Sequence, residues 1–226
     1  MKYDDILKGK FISRPNRFIA HVEINGKVEI CHVKNTGRCK ELLLPNATVF
    51  VQENNNPKRK TKFSLISVIK EKKIINMDSQ VPNRIVHEWL LKGNLLKDIT
   101  LIKPETKYNN SRFDFYVETE NRKIFIEVKG VTLENEGIVK FPDAPTERGV
   151  KHVKELCDCV KEGYDAYIIF VVQMKGVLHF EPNIETHKEF AVALKEAKRQ
   201  GVHILAVDCE VKEDSINVRN YVKVLV

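Results

Sequence analysis

Two apolar segments, each interrupted by an acid, decide the fold of this chain: Arg112-Phe113-Asp114-Phe115-Tyr116-Val117 and Ile124-Phe125-Ile126-Glu127-Val128-Lys129-Gly130. Their residues alternate as in β-strands, in which successive side chains point to opposite faces. We predict that Phe113 and Phe115 share one face of the first strand and that Asp114 lies on the other. On the second strand, Glu127 and Lys129 share the face opposite to the aliphatic residues. The pattern therefore predicts two acids and a lysine on neighbouring strands.

The turn between these strands sets the distance between the two acids. A two- or four-residue loop centred between Glu120 and Asn121 places Asp114 directly opposite Glu127, with β-carbons roughly 4.5–5.5 Å apart, and a β-bulge would shift this register. Two carboxylates this close repel each other, and a hard cation such as Mg²⁺ or Mn²⁺ relieves the repulsion and leaves room for a phosphate oxygen. Lys129 on the same face can orient or deprotonate a water. We predict metal-dependent phosphodiester hydrolysis, with both acids as metal ligands and the lysine as a catalytic residue.

An acid and a lysine two residues apart also occur on exposed strand faces, and this pair alone does not distinguish the two cases. Asp114 favours a functional site, because its phenylalanine neighbours indicate a central strand, where an unpaired carboxylate is costly. Glu88 is a further candidate metal ligand at the margin of the apolar stripe of a helix predicted over 83–91. A surface salt bridge explains Glu88 equally well.

The chain up to about residue 77 has the period of two expected for strands. Asn25-Gly26 favours a tight hairpin turn between the first two of them. We predict a small all-β barrel of the OB type over residues 1–80, and a fragment of a β-sandwich is the alternative. The predicted strands are 18–24, 27–33, 47–53, 63–70 and 73–77.

From residue 81 to 226 the pattern alternates between helices and strands, which predicts an α/β domain with a mixed sheet. Thr146 is a suitable N-cap for a second helix, which ends at Gly163. The run 166–174 is apolar enough for a strand buried on both faces. A third helix over 188–200 leads into a strand over 202–207.

Composition excludes several classes of protein. The five cysteines are scattered without a CxxC pair, so neither disulfides nor a zinc site is expected. No apolar run approaches the roughly 20 residues of a membrane span, and the start lacks the apolar core of a signal peptide, so we expect a cytoplasmic protein without membrane contact. A net charge of +7 favours a polyanionic partner such as nucleic acid.

Clusters of basic residues are candidate phosphate contacts. A turn-rich loop carries four cations and an adjoining aromatic residue, an arrangement that suits single-stranded nucleic acid, although a solvated loop is nearly as good an interpretation. Cations before the first hairpin, after Asn35-Thr36-Gly37 and on the second helix extend this set, and a solvated helix face is the alternative for the last group. The candidate DNA-binding residues are Arg14, Arg17, Arg38, Lys40, Lys58, Arg59, Lys60, Lys62, Arg148 and Lys151.

The acid pair and its surroundings resemble the PD-(D/E)XK nuclease core, and several segments narrow the resemblance to the sugar fermentation stimulation protein A family. No proline stands beside Asp114, which departs from the nuclease signature. The similar segments span nearly the whole chain in order: Asn35-Thr36-Gly37, Asn83-Arg84, Arg112-Phe113-Asp114-Phe115, Glu127-Val128-Lys129-Gly130-Val131-Thr132-Leu133, Phe141-Pro142-Asp143-Ala144-Pro145-Thr146-Glu147-Arg148-Gly149 and Lys151-His152.

The resemblance implies an OB-fold domain followed by a nuclease-like domain that binds DNA without sequence specificity. It implies metal-site positions at Asp114 and Glu127, a catalytic lysine at Lys129 and a helix-borne acid at Glu88. It also implies a regulatory role in sugar metabolism, particularly that of maltose. Three hypotheses stay open: a Mg²⁺- or Mn²⁺-dependent DNA nuclease, a non-catalytic DNA-binding regulator, and an RNA-binding module. The sequence leaves the oligomeric state open, a homodimer included.

Overall fold

The first part of the chain forms a closed five-stranded barrel in the computed structural model, which describes residues 1–35, 37 and 39–226. The strands pair in the order β3-β2-β1-β4-β5, and β3 returns to β5 in parallel, so no strand edge is left open between them. The predicted barrel is therefore confirmed over the sandwich fragment. Its strands, with a sixth beside β5, are β1 (Ile6–Asn16), β2 (Ile19–Ile24), β3 (Lys27–Val33), β4 (Thr48–Glu53), β5 (Phe63–Lys70) and β6 (Lys73–Asn76).

Strand β1 was not predicted, although it lies at the centre of the barrel. It pairs with both β2 and β4, yet only Gly9 and Phe11 are buried along its length. Gly9 is required by a close approach, since a Cβ there would lie 2.6 Å from Val22 Cγ1 and 2.8 Å from the carbonyl oxygen of Glu23. A strand with so few apolar residues lacks the alternation that identifies the others.

The second part of the chain forms a nine-stranded mixed sheet with three helices, which confirms the predicted α/β class. Strands β9, β12 and β14 run parallel, whereas β7, β8 and β9 are antiparallel. The elements are α1 (Val81–Leu91), β7 (Ile99–Tyr108), β8 (Ser111–Thr119), β9 (Lys123–Val131), β10 (Glu134–Asn135), β11 (Ile138–Phe141), α2 (Glu147–Lys161), β12 (Asp165–Val172), β13 (His179–Pro182), α3 (Lys188–Arg199), β14 (His203–Val211) and β15 (Ile216–Val224).

Helix α1 covers one face of this sheet, and α2 and α3 cover the other. Ile124 and Ile126 of β9 pack with α1, while the intervening Phe125 packs in the cluster under α2 and α3. Thr146 caps α2 as predicted, since its hydroxyl accepts a hydrogen bond from the backbone N of Gly149 at 3.0 Å. In the described part of the chain, no helix is long and apolar enough to cross a membrane.

The strands that sequence analysis missed in this domain lie away from the buried centre of the sheet. β7 is an edge strand and contains Pro104, a residue that sheets tolerate mainly at their edges. β15 has one fully buried residue, Ile216. β10, β11 and β13 have two to four residues each, too few to show a period.

Buried polar contacts join the barrel to the second domain. The backbone N of Asn76 donates to the carbonyl oxygen of Gln173 at 2.9 Å, and Gln173 Nε2 donates to Asn76 Oδ1 at 3.0 Å. Tyr3, ahead of the barrel, is buried in the cluster under α1, and its backbone N donates to the carbonyl oxygen of Asp214. The domain boundary between residues 80 and 81 stays a prediction, because the segment around Tyr3, before the barrel, packs on the second domain.

Glu134 links the two domains by charge. Lys70 Nζ and Lys73 Nζ of the barrel lie 3.1 Å and 2.8 Å from its two carboxylate oxygens. The side chain is 6% exposed. Burial alone raises its pKa, but the two ammonium groups and the backbone N–H of Gly137 outweigh burial and lower the pKa to about 2. The carboxylate therefore stabilises the folded chain only while it is ionised.

Glu134→Gln is expected to lower the free energy of unfolding by about 2 to 3 kcal/mol near neutral pH. Because the folded pKa is depressed below that of the unfolded chain, this stabilisation is complete above pH ~4.5 and is lost as the pH falls toward ~2. Urea unfolding at several pH values checks this, with the exposed Glu136→Gln as the control. A difference between the two variants that does not change with pH contradicts the assignment.

Candidate active site

The predicted register of the two central strands is confirmed. Phe115 pairs with Ile126 and the pairing continues to the turn, so Asp114 and Glu127 are next along their strands. Regular pairing stops there, and Asp114 Oδ2 accepts a hydrogen bond from the backbone N of Val128 at 2.7 Å. The Asp114 side chain thus makes a contact with β9 that a backbone carbonyl would make in a regular strand pair, and this contact holds Asp114 beside Glu127.

Asp114 is also held by helix α1. Asn83 Nδ2, in the first turn of that helix, donates to Asp114 Oδ1 at 2.7 Å. Burial and then the negative charge of Glu127 raise the pKa of Asp114 to about 6, against the opposing effect of these hydrogen bonds. Since a carboxylate oxygen has two lone pairs, each oxygen of Asp114 keeps acceptor capacity for another ligand.

The prediction that Phe113 and Phe115 share a face is wrong. Phe113 packs under α2, with its ring centroid 6.0 Å from that of His152, whereas Phe115 stacks on His87 of α1 at 5.8 Å. Glu105 faces Asp114 across the β7–β8 pair and has a φ of 53°. The pairing of β7 and β8 skips this position between the pairs Pro104–Phe115 and Thr106–Phe113, and the change of face occurs across it.

Glu127 has one occupied oxygen and one without a partner. Its Oε1 lies 2.5 Å from Lys129 Nζ and 2.6 Å from His152 Nδ1, while Oε2 is buried without a hydrogen-bond partner among the described residues. Burial raises the pKa of Glu127, but His152 and Lys129 outweigh burial and hold the pKa below its usual value. The acid is therefore ionised, and Oε2 is the atom that needs a ligand.

His152 is a site residue to which sequence analysis gave no specific role. Arg148 Nε, one helical turn earlier on α2, donates to His152 Nε2 at 3.3 Å. Because Arg148 Nε can only donate, Nε2 is the acceptor in this contact, and Nδ1 is then the nitrogen that donates a hydrogen bond to Glu127 Oε1. Two sequence signals pointed to it: Lys151-His152 is one of the segments that resemble the family, and the spacing of Arg148 and His152 places both on one face of the helix.

Glu88 does not join this site, contrary to the prediction. Its Oε2 lies 2.9 Å from the Met1 amine, and that amine also donates to Asn217 Oδ1. On α1 the residues that face the site are Asn83 and His87, four positions apart, and Glu88 points away from that face. The alternative interpretation of Glu88 as a salt-bridge residue is the one that the structure supports.

Two glycines allow close packing around the site. A Cβ on Gly130, directly after Lys129, would lie 2.6 Å from Gln173 Oε1 and 2.9 Å from Pro82 Cγ. A Cβ on Gly37 would collide with the carboxylate of Asp143, in the loop that leads into α2. The barrel turn at Gly37 therefore meets the loop before α2, so segments far apart in sequence converge beside β9.

Comparison with known families covers both parts of the chain. The SfsA N-terminal OB domain matches residues 12–77, and the sugar fermentation stimulation protein RE domain matches residues 80–215. The chain belongs to this family. Proteins called sugar fermentation stimulation protein homolog include one from Clostridium beijerinckii, 77% identical over 225 residues with 100% of both chains covered. Another, from Ruminiclostridium cellulolyticum, is 65% identical over 224 residues with 99% of both covered.

A solved family member has the same fold. The structure of Pyrococcus furiosus SfsA in complex with Ca²⁺ superposes with a TM-score of 0.91 at 28% sequence identity, covering 100% of this chain and 98% of that one. The OB-type barrel followed by a mixed-sheet domain is therefore the architecture of this SfsA-family chain, as the resemblance implied.

The candidate DNA-binding cations of this family member fall into three groups. Arg14 is a structural residue, because its guanidinium donates to the carbonyl oxygens of Asn35, Gly37 and Arg17. Arg59 bonds Ser64 Oγ, and Lys62 lies 2.7 Å from Glu53 Oε1, so both have protein partners. Arg38 lies outside the described residues. The remaining candidates are all exposed, as is Lys62: Arg17, Lys40, Lys58, Lys60, Arg148 and Lys151.

The donors for a metal are few. In the described part of the chain, no group of three or more histidine, cysteine, aspartate or glutamate side chains is arranged to hold a metal. The pair Asp114 and Glu127 offers oxygen atoms only. Such a pair suits a hard cation that keeps waters or takes a phosphate oxygen, rather than zinc.

Proposed function

We propose that this chain binds DNA and hydrolyses its phosphodiester bonds with Mg²⁺ or Mn²⁺. Asp114 and Glu127 are the proposed metal ligands, and Lys129 is the proposed catalytic lysine. The observation that carries the proposal is the buried Glu127 Oε2, which has no hydrogen-bond partner among the described residues while its carboxylate is kept ionised beside Asp114.

The donor set fits a divalent cation of this kind. Mg²⁺ in enzymes is commonly held by one or two carboxylates, with waters and substrate phosphate in the other positions. A cation next to Glu127 Oε2 satisfies that atom and offsets the repulsion that raises the pKa of Asp114. The structure of Pyrococcus furiosus SfsA is a complex with Ca²⁺, which supports a divalent cation here.

The residues around the pair have separate tasks in this proposal. Asn83 and the backbone N–H of Val128 orient Asp114. His152 is a positioning residue, because its hydrogen bond to Oε1 fixes the carboxylate and leaves Oε2 as the oxygen that would hold a cation. Lys129, whose side chain is 18% exposed and whose Nζ bonds the same Oε1, is the group that would orient a substrate water and stabilise negative charge on the phosphate. A bound cation supplies Lewis-acid activation of the phosphate and of the attacking water.

A non-catalytic, sequence-non-specific DNA-binding regulator of sugar metabolism is the second candidate. The names of the relatives, which refer to sugar fermentation, favour it loosely, and the net charge of +7 suits DNA binding under either proposal. In this second reading the acid pair binds a cation only to assist contact with phosphate.

Cleavage assays separate the two functions. Purified protein is incubated with labelled single-stranded, duplex and branched DNA, and with RNA of the same length, in Mg²⁺, Mn²⁺ or EDTA. The nuclease proposal predicts DNA cleavage that EDTA abolishes. Binding that persists without cleavage of any substrate supports the regulator, and tighter binding to RNA than to DNA contradicts both.

A further inference from the structure

An open cleft of about 560 Å³ lies beside the candidate active site. One wall is the turn of the β7–β8 hairpin, and the other is the first half of α2. His152, whose Nδ1 bonds Glu127, lines the cleft, so this side chain lies between the cleft and the acid pair. Its lining residues include four cations, Lys107, Arg112, Arg148 and Lys151.

The cations of the cleft are only weakly neutralised. Glu105 is the one acid in the lining, and its carboxylate lies 3.8 Å from Arg112 Nη1 with both side chains more than 60% exposed, where an ion pair contributes little. Lys151 Nζ lies 3.9 Å from Glu155 Oε1. Among the described residues, neither Lys107 nor Arg148 forms an ion pair with a carboxylate. The cleft therefore has an excess of positive charge.

Two of these cations lie where their mutual repulsion destabilises the folded hairpin. Lys107 and Arg112 are direct cross-strand partners in the β7–β8 hairpin. Like charges directly opposite each other on an antiparallel pair are destabilising. An anion bound between them removes that repulsion, which gives this arrangement a physical reason.

The cleft is held open in a defined shape. Lys151 Nζ donates to the carbonyl oxygen of Asn110 at 2.8 Å and so ties α2 to the hairpin turn. Arg148 donates its Nε to His152, which leaves its terminal nitrogens available for a second acceptor. Ser111, next to the hairpin turn, is 8% exposed, and its hydroxyl has no hydrogen-bond partner among the described residues. Cations, a hydroxyl and a guanidinium fork are the groups that bind phosphate.

We propose that this cleft binds backbone phosphates of the DNA strand next to the scissile phosphate. The inference rests on the proposed function only in placing this phosphate next to the one that is cleaved. Binding of DNA in the cleft does not itself require cleavage. Arg148 connects the two, because it lies in the cleft and bonds the histidine that positions Glu127. The strand then runs from the acid pair over the turn of the β7–β8 hairpin.

The test uses the double variant Lys107→Ala/Arg112→Ala, which leaves α2 and the acid pair unchanged. Lys195→Ala/Arg199→Ala, two exposed cations on α3, is the matched control. Fluorescence anisotropy with a labelled single-stranded oligonucleotide in EDTA measures the dissociation constant at several salt concentrations. Loss of two phosphate contacts is expected to reduce the slope of log K against log salt by about 1.4 and to weaken binding about 10- to 30-fold near 0.1 M salt.

The outcomes distinguish this inference from the nuclease proposal. Cleft variants that bind DNA like the control overturn the inference, whether or not the wild-type protein cleaves. If the cleft variant binds DNA more weakly and the wild-type protein cleaves no substrate, the nuclease proposal is overturned and phosphate binding in the cleft is supported. If inorganic phosphate binding is lost in the cleft variant but DNA binding is not, the cleft holds a free anion and the inference is wrong. Thermal unfolding checks folding, and Lys107→Gln/Arg112→Gln replaces the alanine pair if that pair is unstable.

Discussion

Glu127→Gln is expected to lower Mg²⁺-dependent cleavage by roughly 10³-fold or more, because a metal that activates phosphate and water supplies several kcal/mol of transition-state stabilisation. The amide is close to the carboxylate in size, so packing around β9 is preserved. It has no charge for a cation, and its NH₂ group faces either Lys129 or the position of Oε2. Single-turnover cleavage of labelled DNA measures the rate, and isothermal titration with Mn²⁺ measures binding of the cation.

His152→Ala provides a graded comparison for this result. It removes one of the two hydrogen bonds to Oε1 and keeps the negative charge of Glu127. Loss of such a supporting partner typically weakens metal affinity by about 10- to 100-fold, so Mn²⁺ binding is expected to weaken and not to disappear. A Glu127→Gln protein that binds Mn²⁺ and cleaves like the wild type would falsify the metal site.

Lys129→Ala is expected to reduce cleavage by about 10²- to 10⁴-fold while the cation still binds. Positioned proton-transfer groups contribute a factor of this size, and both carboxylates remain in place. Lys129 Nζ bonds Glu127 Oε1, so its removal also raises the pKa of that acid, and cation binding is expected to become more sensitive to acid pH. Cleavage rates and Mn²⁺ titrations at pH 6 and pH 8 measure the two effects separately.

The control for the lysine is Lys123→Ala, an exposed position on the same strand. It tests whether loss of any cation from β9 weakens DNA binding and thereby cleavage. Equal losses in the two variants show that Lys129 acts through general charge and contradict a catalytic role. A Lys129→Ala protein that cleaves normally is incompatible with that role altogether.

The elements that sequence analysis predicted correctly are those whose local pattern matches their final environment. Strands β8 and β9 alternate charged and apolar residues over a short hairpin, and their register follows from the turn. Helix α2 has a capping threonine, an apolar face and a terminal glycine. Strands β1, β7 and β15 carry many polar residues, because their positions need few buried side chains. No local period identifies such strands.

The candidate site was predicted in part for the same reason. Asp114, Glu127 and Lys129 lie on two adjacent strands, and the short turn between the strands fixes the register that places the two acids side by side. His152 is 25 residues from Glu127 and Asn83 is 31 residues from Asp114, and only the packing of α2 and α1 on the sheet brings them there.

Local sequence was enough to predict the barrel, the mixed sheet, the register of the β8–β9 hairpin and the neighbouring positions of the two acids, because strand periodicity and turn length act over a few residues. Three contacts depend on tertiary packing: Asn83 and not Glu88 reaches Asp114, Arg14 braces the barrel turns, and His152 binds one oxygen of Glu127 while the other has no partner in the described part of the chain. These choices depend on how helices are rotated and docked on the sheet. That docking is set by the sum of many apolar contacts and not by any one segment.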